Sequence, residues 1–187
     1  MEGSPYPPLL SHILDDGHFR PMIDGPDVLL HRAQWRELMR ELAACPPKDA
    51  EIAERLHTQW HVCHHYVREL VDDDGLLIDM LWVWLPRWRG AAATLYRGEN
   101  IDRRENGKIG TGWTDKIDVA RTFAEGLNAM GKGGLLLRTE APAEAIIAGP
   151  SKHSSEWLRE NEYTVDIRKL AHVDEIERFG PNPLLVG

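Results

Sequence analysis

Ile52, Leu56, Trp60, Cys63, Val67 and Leu70 follow one another at steps of 4, 4, 3, 4 and 3 residues. This spacing returns every side chain to one face of an α-helix and to no single face of a strand, so it commits the segment to an amphipathic helix that needs an apolar partner. Candidate partners flank it. From Ala33, the residues Trp35, Leu38, Met39 and Leu42 also recur at helical steps until Pro46-Pro47 stops them, while Leu76 to Leu85 is apolar nearly all round and ends at Pro86. The latter reads as a short helix buried on most sides, and Asp72-Asp73-Asp74-Gly75 separates it from the long one. The first thirty residues hold five of the twelve prolines and no periodicity, so residues 1–32 read as an extended arm.

After Gly90 the character changes to short strand-like runs between turns: Thr94-Leu95-Tyr96, Gly134 to Leu137, Ala145 to Ala148 and Tyr163 to Ile167. One helix interrupts them, with Thr114 or Asp115 as its N-cap, Val119, Ala120, Phe123 and Ala124 as its buried stripe and Gly126 as its stop. Helices first and strands later make an α+β chain rather than a βαβ alternation. At 187 residues it reads as a single domain, with the arm at 1–32, a helical part at 33–90 and a β-rich part at 91–180.

Several classes are excluded by what is missing. The apolar run Leu76 to Leu85 is too short for a bilayer, which takes roughly 20 residues, so no membrane partner is expected. Met1-Glu2-Gly3-Ser4-Pro5 has neither a basic start nor an apolar run, and Cys45 and Cys63 fit neither a metal pattern nor a disulfide framework. A cytoplasmic location is the expectation. A net charge of -8 disfavours stable, sequence-independent nucleic-acid binding, although Arg87, Arg89, Arg97, Arg103 and Arg104 fall close together.

Three short motifs could carry chemistry. In Trp157-Leu158-Arg159-Glu160-Asn161-Glu162-Tyr163-Thr164-Val165-Asp166-Ile167, strand alternation puts Glu160, Glu162, Thr164 and Asp166 on one face and the apolar Tyr163, Val165 and Ile167 on the inward one. Two carboxylates on one face can divide roles, one stabilising positive charge and the other accepting a proton; the same alternation also describes a solvated strand face. In Leu95-Tyr96-Arg97-Gly98-Glu99, the guanidinium fork of Arg97 suits phosphate oxygens and Gly98 allows a ligand close to the backbone. Gly110-Thr111-Gly112-Trp113-Thr114 places two glycines, two hydroxyls and an indole before a helix; a core position for Trp113 is the plainer reading.

Taken in order, these motifs resemble the ADP-ribosyltransferase superfamily, and within it the arginine-serine-glutamate branch with its Glu-x-Glu motif, which includes bacterial toxins and phage-encoded effectors. The resemblance runs from about Thr94 to Phe179 and leaves out the helical half. It implies a split antiparallel or mixed β core and NAD as substrate, with Arg97, Gly98, Gly112, Trp113, Thr114 and Phe123 on the NAD side. It makes Glu162 the catalytic glutamate, Glu160 the acceptor-side carboxylate and Trp157 the aromatic of the acceptor loop. The branch's leading serine is replaced by Gly112, so Thr111 or Thr114 must orient the glutamate or that role is lost. The implied activity is transfer of ADP-ribose to a macromolecule, either a protein side chain such as arginine or a nucleic acid. An NAD glycohydrolase and a catalytically inactive binding module are the alternatives.

One cluster lies outside these motifs. His57, His61 and His64 fall on a face of the long helix away from its apolar stripe, with His65 beside them, at a spacing compatible with metal binding. No carboxylate ligand accompanies them, so a histidine-rich polar face is the expectation and no metal is assigned.

Overall fold

The computed structural model describes residues 28–185, with side chains from residue 33, so the expected arm lies outside the described residues as far as residue 27. The chain divides between Pro86 and Arg87 into two compact units, where the sequence reading took one domain.

The first unit holds three helices, α1 (Val28–Ala44), α2 (Ala50–Val71) and α3 (Asp74–Trp84). Helix α1 starts inside the segment expected to be extended, because Pro26 is the last proline before it and nothing after that breaks a helix. Aspartates punctuate the rest. Asp49 accepts from the Ile52 amide at 2.9 Å to open α2, Asp72 closes it in a left-handed conformation, and Asp73 accepts from the Leu76 amide at 3.0 Å to open α3. Arg68 near the end of α2 binds Asp74 through both carboxylate oxygens, at 2.8 and 2.7 Å. Trp35, Leu38, Leu42, Leu77, Ile78, Leu81 and Trp84 are fully buried, and the Trp84 indole donates to the Leu42 carbonyl at 2.7 Å. Among the described residues no helix is long and apolar enough to cross a membrane.

The buried face of α2 is wider than its apolar stripe. Ala53, His57, His61 and Arg68 join it, and the rings of His57 and His61 stack with centroids 4.4 Å apart, so these two histidines do not face solvent. No group of three or more His, Cys, Asp or Glu side chains is arranged to hold a metal ion among the described residues. Burial pushes His57 down from 6.5 to about 4. A base whose folded value is depressed contributes its stability fully above the unfolded value and loses it as pH falls toward the folded one. His57→Phe is therefore expected to spare the helical unit an acid-induced loss of about 3 kcal/mol between pH 6.5 and 4. Urea midpoints of both proteins across that range test it, and parallel losses would reject it.

The second unit is built on a six-stranded sheet, in which every pairing is antiparallel. Its strands are β1 (Ala93–Asn100), β2 (Gly112–Thr114), β3 (Gly134–Ala141), β4 (Ile146–Ala148), β5 (Glu162–Val165) and β6 (Asp174–Phe179), in the spatial order β4-β5-β2-β1-β3-β6. The sheet is antiparallel throughout, the first of the two forms expected, and its β1–β2 seam is held by one paired position, Tyr96 opposite Thr114. Two helices lie between strands, α4 (Ile101–Glu105) and α5 (Ile117–Glu125). Strand β6 gives no alternation in the sequence because Asp174, Glu175, Glu177 and Arg178 are exposed; it pairs along β3 by its backbone, and its charges suit a sheet edge.

The two faces of the sheet are packed differently. Leu95, Trp113, Leu135, Leu137, Ile146 and Val165 form the larger core on one face, with Trp88 and Tyr163 against it. On the other face α5 lies on Tyr96, Leu136 and Phe179 through Ala120 and Ala124. Its approach is close. A Cβ at Gly98 would stand 2.5 Å from both the Ala120 carbonyl oxygen and the Ala124 amide nitrogen, so the glycine serves helix packing and not ligand access, contrary to the sequence reading.

Candidate active site

Strands β1 and β2 share a single paired position, Tyr96 opposite Thr114. Beyond it, the carbonyl of Gly112 is taken by Arg97, whose Nη1 donates to it at 2.6 Å, while its Nε donates to Glu99 at 2.9 Å. Arg97 and Glu99 sit two residues apart on one face of β1, and their side chains are 12% and 0% exposed. Glu99 also accepts from the amides of Asn100 at 3.0 Å and Gly110 at 2.8 Å. Burial by itself would raise its pKa, but the charge of Arg97 and these hydrogen bonds together hold it below the ordinary carboxylate range. Glu99 therefore anchors both the guanidinium and the chain entering β2. The sequence offered one signal for this role, the two-residue spacing of opposite charges on a strand.

Register places the second acid. Gly112 pairs with Thr164 and Thr114 with Glu162, so Glu162 and Thr164 share the face of Gly112 and Thr114, the face on which α5 also packs. A Cβ at Gly112 would stand 2.7 Å from Oε1 of Glu162, so the glycine leaves the room that the carboxyl occupies. That oxygen is buried, and Thr164 is 0% exposed. The solvated strand face is thus overturned, because the polar side of β5 is as covered as its apolar side. Burial pushes Glu162 up to about 8; Arg97 works against that rise and Glu160 adds to it.

Glu160 does not lie on β5. It falls in the turn between a π-helical segment (His153–Leu158) and the strand, and it is flanked by Arg159 and Asn161 in left-handed conformations with φ of 58° and 53°. Those two residues break the alternation that the sequence suggested, so the two carboxylates are not presented by one strand face. Glu160 is half-buried, and burial raises its pKa. Its backbone is tied down from β2 and the loop that follows. Thr114 Oγ1 donates to the Glu160 carbonyl at 2.6 Å, Lys116 Nζ donates to the Arg159 carbonyl at 3.0 Å, and the Asn161 amide group donates to both carboxylate oxygens of Asp115 at 2.7 and 2.8 Å.

These ties correct two expectations. Neither Thr114 nor Asp115 caps α5; the helix begins after Lys116 without a side-chain cap, since both candidates are engaged by the 159–161 turn. Nor does either threonine take the place of the absent serine. The hydroxyl proton of Thr114 goes to the Glu160 carbonyl, and the buried hydroxyl of Thr111 makes no hydrogen bond among the described residues.

Other expected positions divide between the two faces. Trp113 is buried in the opposite core with its indole donating to the Gly110 carbonyl at 3.1 Å, so it does not line the Glu162 face; alternation along β2 puts it there. Phe123 is half-buried on α5 beside Gly98, on the same side of the sheet as Glu162. Trp157 is 76% exposed, three residues before Glu160. Ser154, which no sequence motif singled out, is fully buried and bonded to the Glu162 amide through its hydroxyl at 2.8 Å. Comparison with family models, curated proteins and solved structures finds no match to this chain.

Proposed function

We propose that this chain transfers ADP-ribose from NAD to a nucleophilic group on a macromolecule. The observation that carries the reading is the Glu162 carboxyl, buried over Gly112 and close enough to Arg97 for its charge to oppose the rise in pKa, with Glu160 held in the adjoining turn. The chemistry asks for such a pair. As the bond between nicotinamide nitrogen and ribose C1′ breaks, nicotinamide leaves with the bonding electrons and positive charge develops on the ribose. Ionised Glu162 stabilises that charge. The acceptor's lone pair then forms the new bond to C1′, and its proton passes to the Glu160 carboxylate. Arg97 supplies positive charge for the diphosphate, although two of its donors are already spent on Glu99 and Gly112.

In the free protein at neutral pH Glu162 is largely protonated, and the carboxylate is the form that this chemistry uses. The value of kcat/KM, which reports the free enzyme, is therefore expected to rise about tenfold per pH unit and level off near pH 8. The identifying experiment incubates the protein with labelled NAD and cell lysate and follows free nicotinamide and label retained on protein or nucleic acid. Retained label supports transfer and reveals the acceptor class; nicotinamide release without retained label favours NAD hydrolysis. Neither product, with no NAD binding, rejects the reading. One observation favours a binding module without turnover instead: Gly112 brings no hydroxyl to Glu162, and neither Thr111 nor Thr114 supplies one.

A further inference from the structure

Three backbone amides and one strand end converge on a single serine. The Ser154 carbonyl receives the amides of Arg159, Glu160 at 3.0 Å and Asn161 at 3.4 Å, and its hydroxyl accepts from the Glu162 amide at 2.8 Å. Its own amide donates to Ser151 Oγ at 3.1 Å, and the residue is 0% exposed. We propose that Ser154 is the positioning residue that sets Glu160 and Glu162 relative to one another. The inference rests on the proposed function for its meaning, but its geometry does not depend on turnover.

The physical argument concerns two residues in an unfavourable conformation. Arg159 and Asn161 are left-handed without being glycine, and such backbone persists only where surrounding bonds over-determine it. The Ser154 carbonyl supplies those bonds on the Glu160 side, and its hydroxyl joins the same hub to the first residue of β5. One side chain thus couples the turn that carries Glu160 to the strand that carries Glu162. Without the hydroxyl, the carbonyl still gathers the turn while the strand end loses its tie, so the spacing of the carboxyls relaxes and the buried one gains access to water.

The test compares wild type, Ser154→Ala and Ser154→Thr, the last of which keeps a hydroxyl. In the Ala variant the Glu162 amide is expected to exchange faster, and its carboxyl, followed by ¹³C NMR, to titrate well below about 8; the Thr variant should retain both properties. Above the Glu162 pKa of about 8, where that carboxyl is ionised in wild type and variants alike, transfer to acceptor should fall roughly 10²-fold in the Ala variant, with nicotinamide release to water falling less, because transfer needs both acids in register. Unchanged exchange and titration in a folded Ala variant would overturn the proposal, as would equal loss in Ala and Thr variants. If Ser154→Ala does not fold, Ser151→Ala, which removes the acceptor of the Ser154 amide, should move exchange and titration in the same direction; no movement would equally overturn it. A wild type that turns over no NAD would reject the proposed function instead, and the exchange and titration results would still decide for or against Ser154.

Discussion

Glu162→Gln is expected to abolish most of the turnover and at the same time to stabilise the β-rich unit in alkali. Glutamine keeps the shape and the acceptor oxygen but cannot carry the charge that opposes the positive ribose, and losing such electrostatic stabilisation costs roughly 10²- to 10³-fold in kcat. The stability effect has the opposite sign. Glu162 is raised from 4.5 to about 8 in the folded protein, so its contribution is fully present below about 4.5 and is lost as pH rises through about 8. Across that window the wild type forfeits on the order of 5 kcal/mol relative to the Gln variant. Thermal melts of both proteins from pH 5 to 9, with nicotinamide release assayed in parallel, check both halves. Melting temperatures that fall together would show that the buried carboxyl is not the titrating group.

The second large effect belongs to Arg97. Removing its guanidinium leaves Glu99 as a carboxylate with 0% side-chain exposure and one fewer cation, while Gly112 loses the donor to its carbonyl. Breaking a buried pair from one side costs about 3–5 kcal/mol, since the remaining charge stays out of water. Arg97→Met is expected to destabilise the unit by that amount and to weaken NAD binding. The double variant Arg97→Met with Glu99→Gln should recover a large part of the stability and none of the binding. A double-mutant cycle by urea denaturation, with NAD titration of each folded protein, separates the two roles; purely additive losses would dissolve the pair as a unit. Arg103, 3.4 Å from the other Glu99 oxygen but 41% exposed, gives only partial compensation.

Local spacing made the helices readable. The three helices before Pro86 follow from apolar periodicity, three aspartates at their ends and the prolines between them, all of which act over four residues or fewer. The strands that have an apolar side were readable for the same reason. Strand β6 was not, because an edge strand needs only backbone pairing on one side and its charged side chains carry no period. For the site, the sequence supplied Arg97, Thr114, Glu160 and Glu162 as polar residues at strand ends, but alternation assigned Glu160 to β5, and the family resemblance set Trp113 on the NAD side where the residues alone read it as core. Both assignments extended strand alternation past the point where the backbone obeys it or read a face without knowing the other strand's register.

Residue types and short spacings therefore determined the helical first part, the β-rich second part and the set of polar residues available for chemistry. Tertiary structure alone decided which of them meet. The seat of Glu162 over Gly112, where a Cβ would stand 2.7 Å from Oε1, the Glu99 carboxylate shared by Arg97 and the Gly110 amide, and the Ser154 hub all join residues that are distant in sequence or bonded through a turn. Their geometry depends on strand register and on two left-handed residues, neither of which is specified by any local pattern. The ionisation of Glu162 belongs to the same class, since a carboxyl's pKa is set by the solvent and charges that folding removes or brings near it.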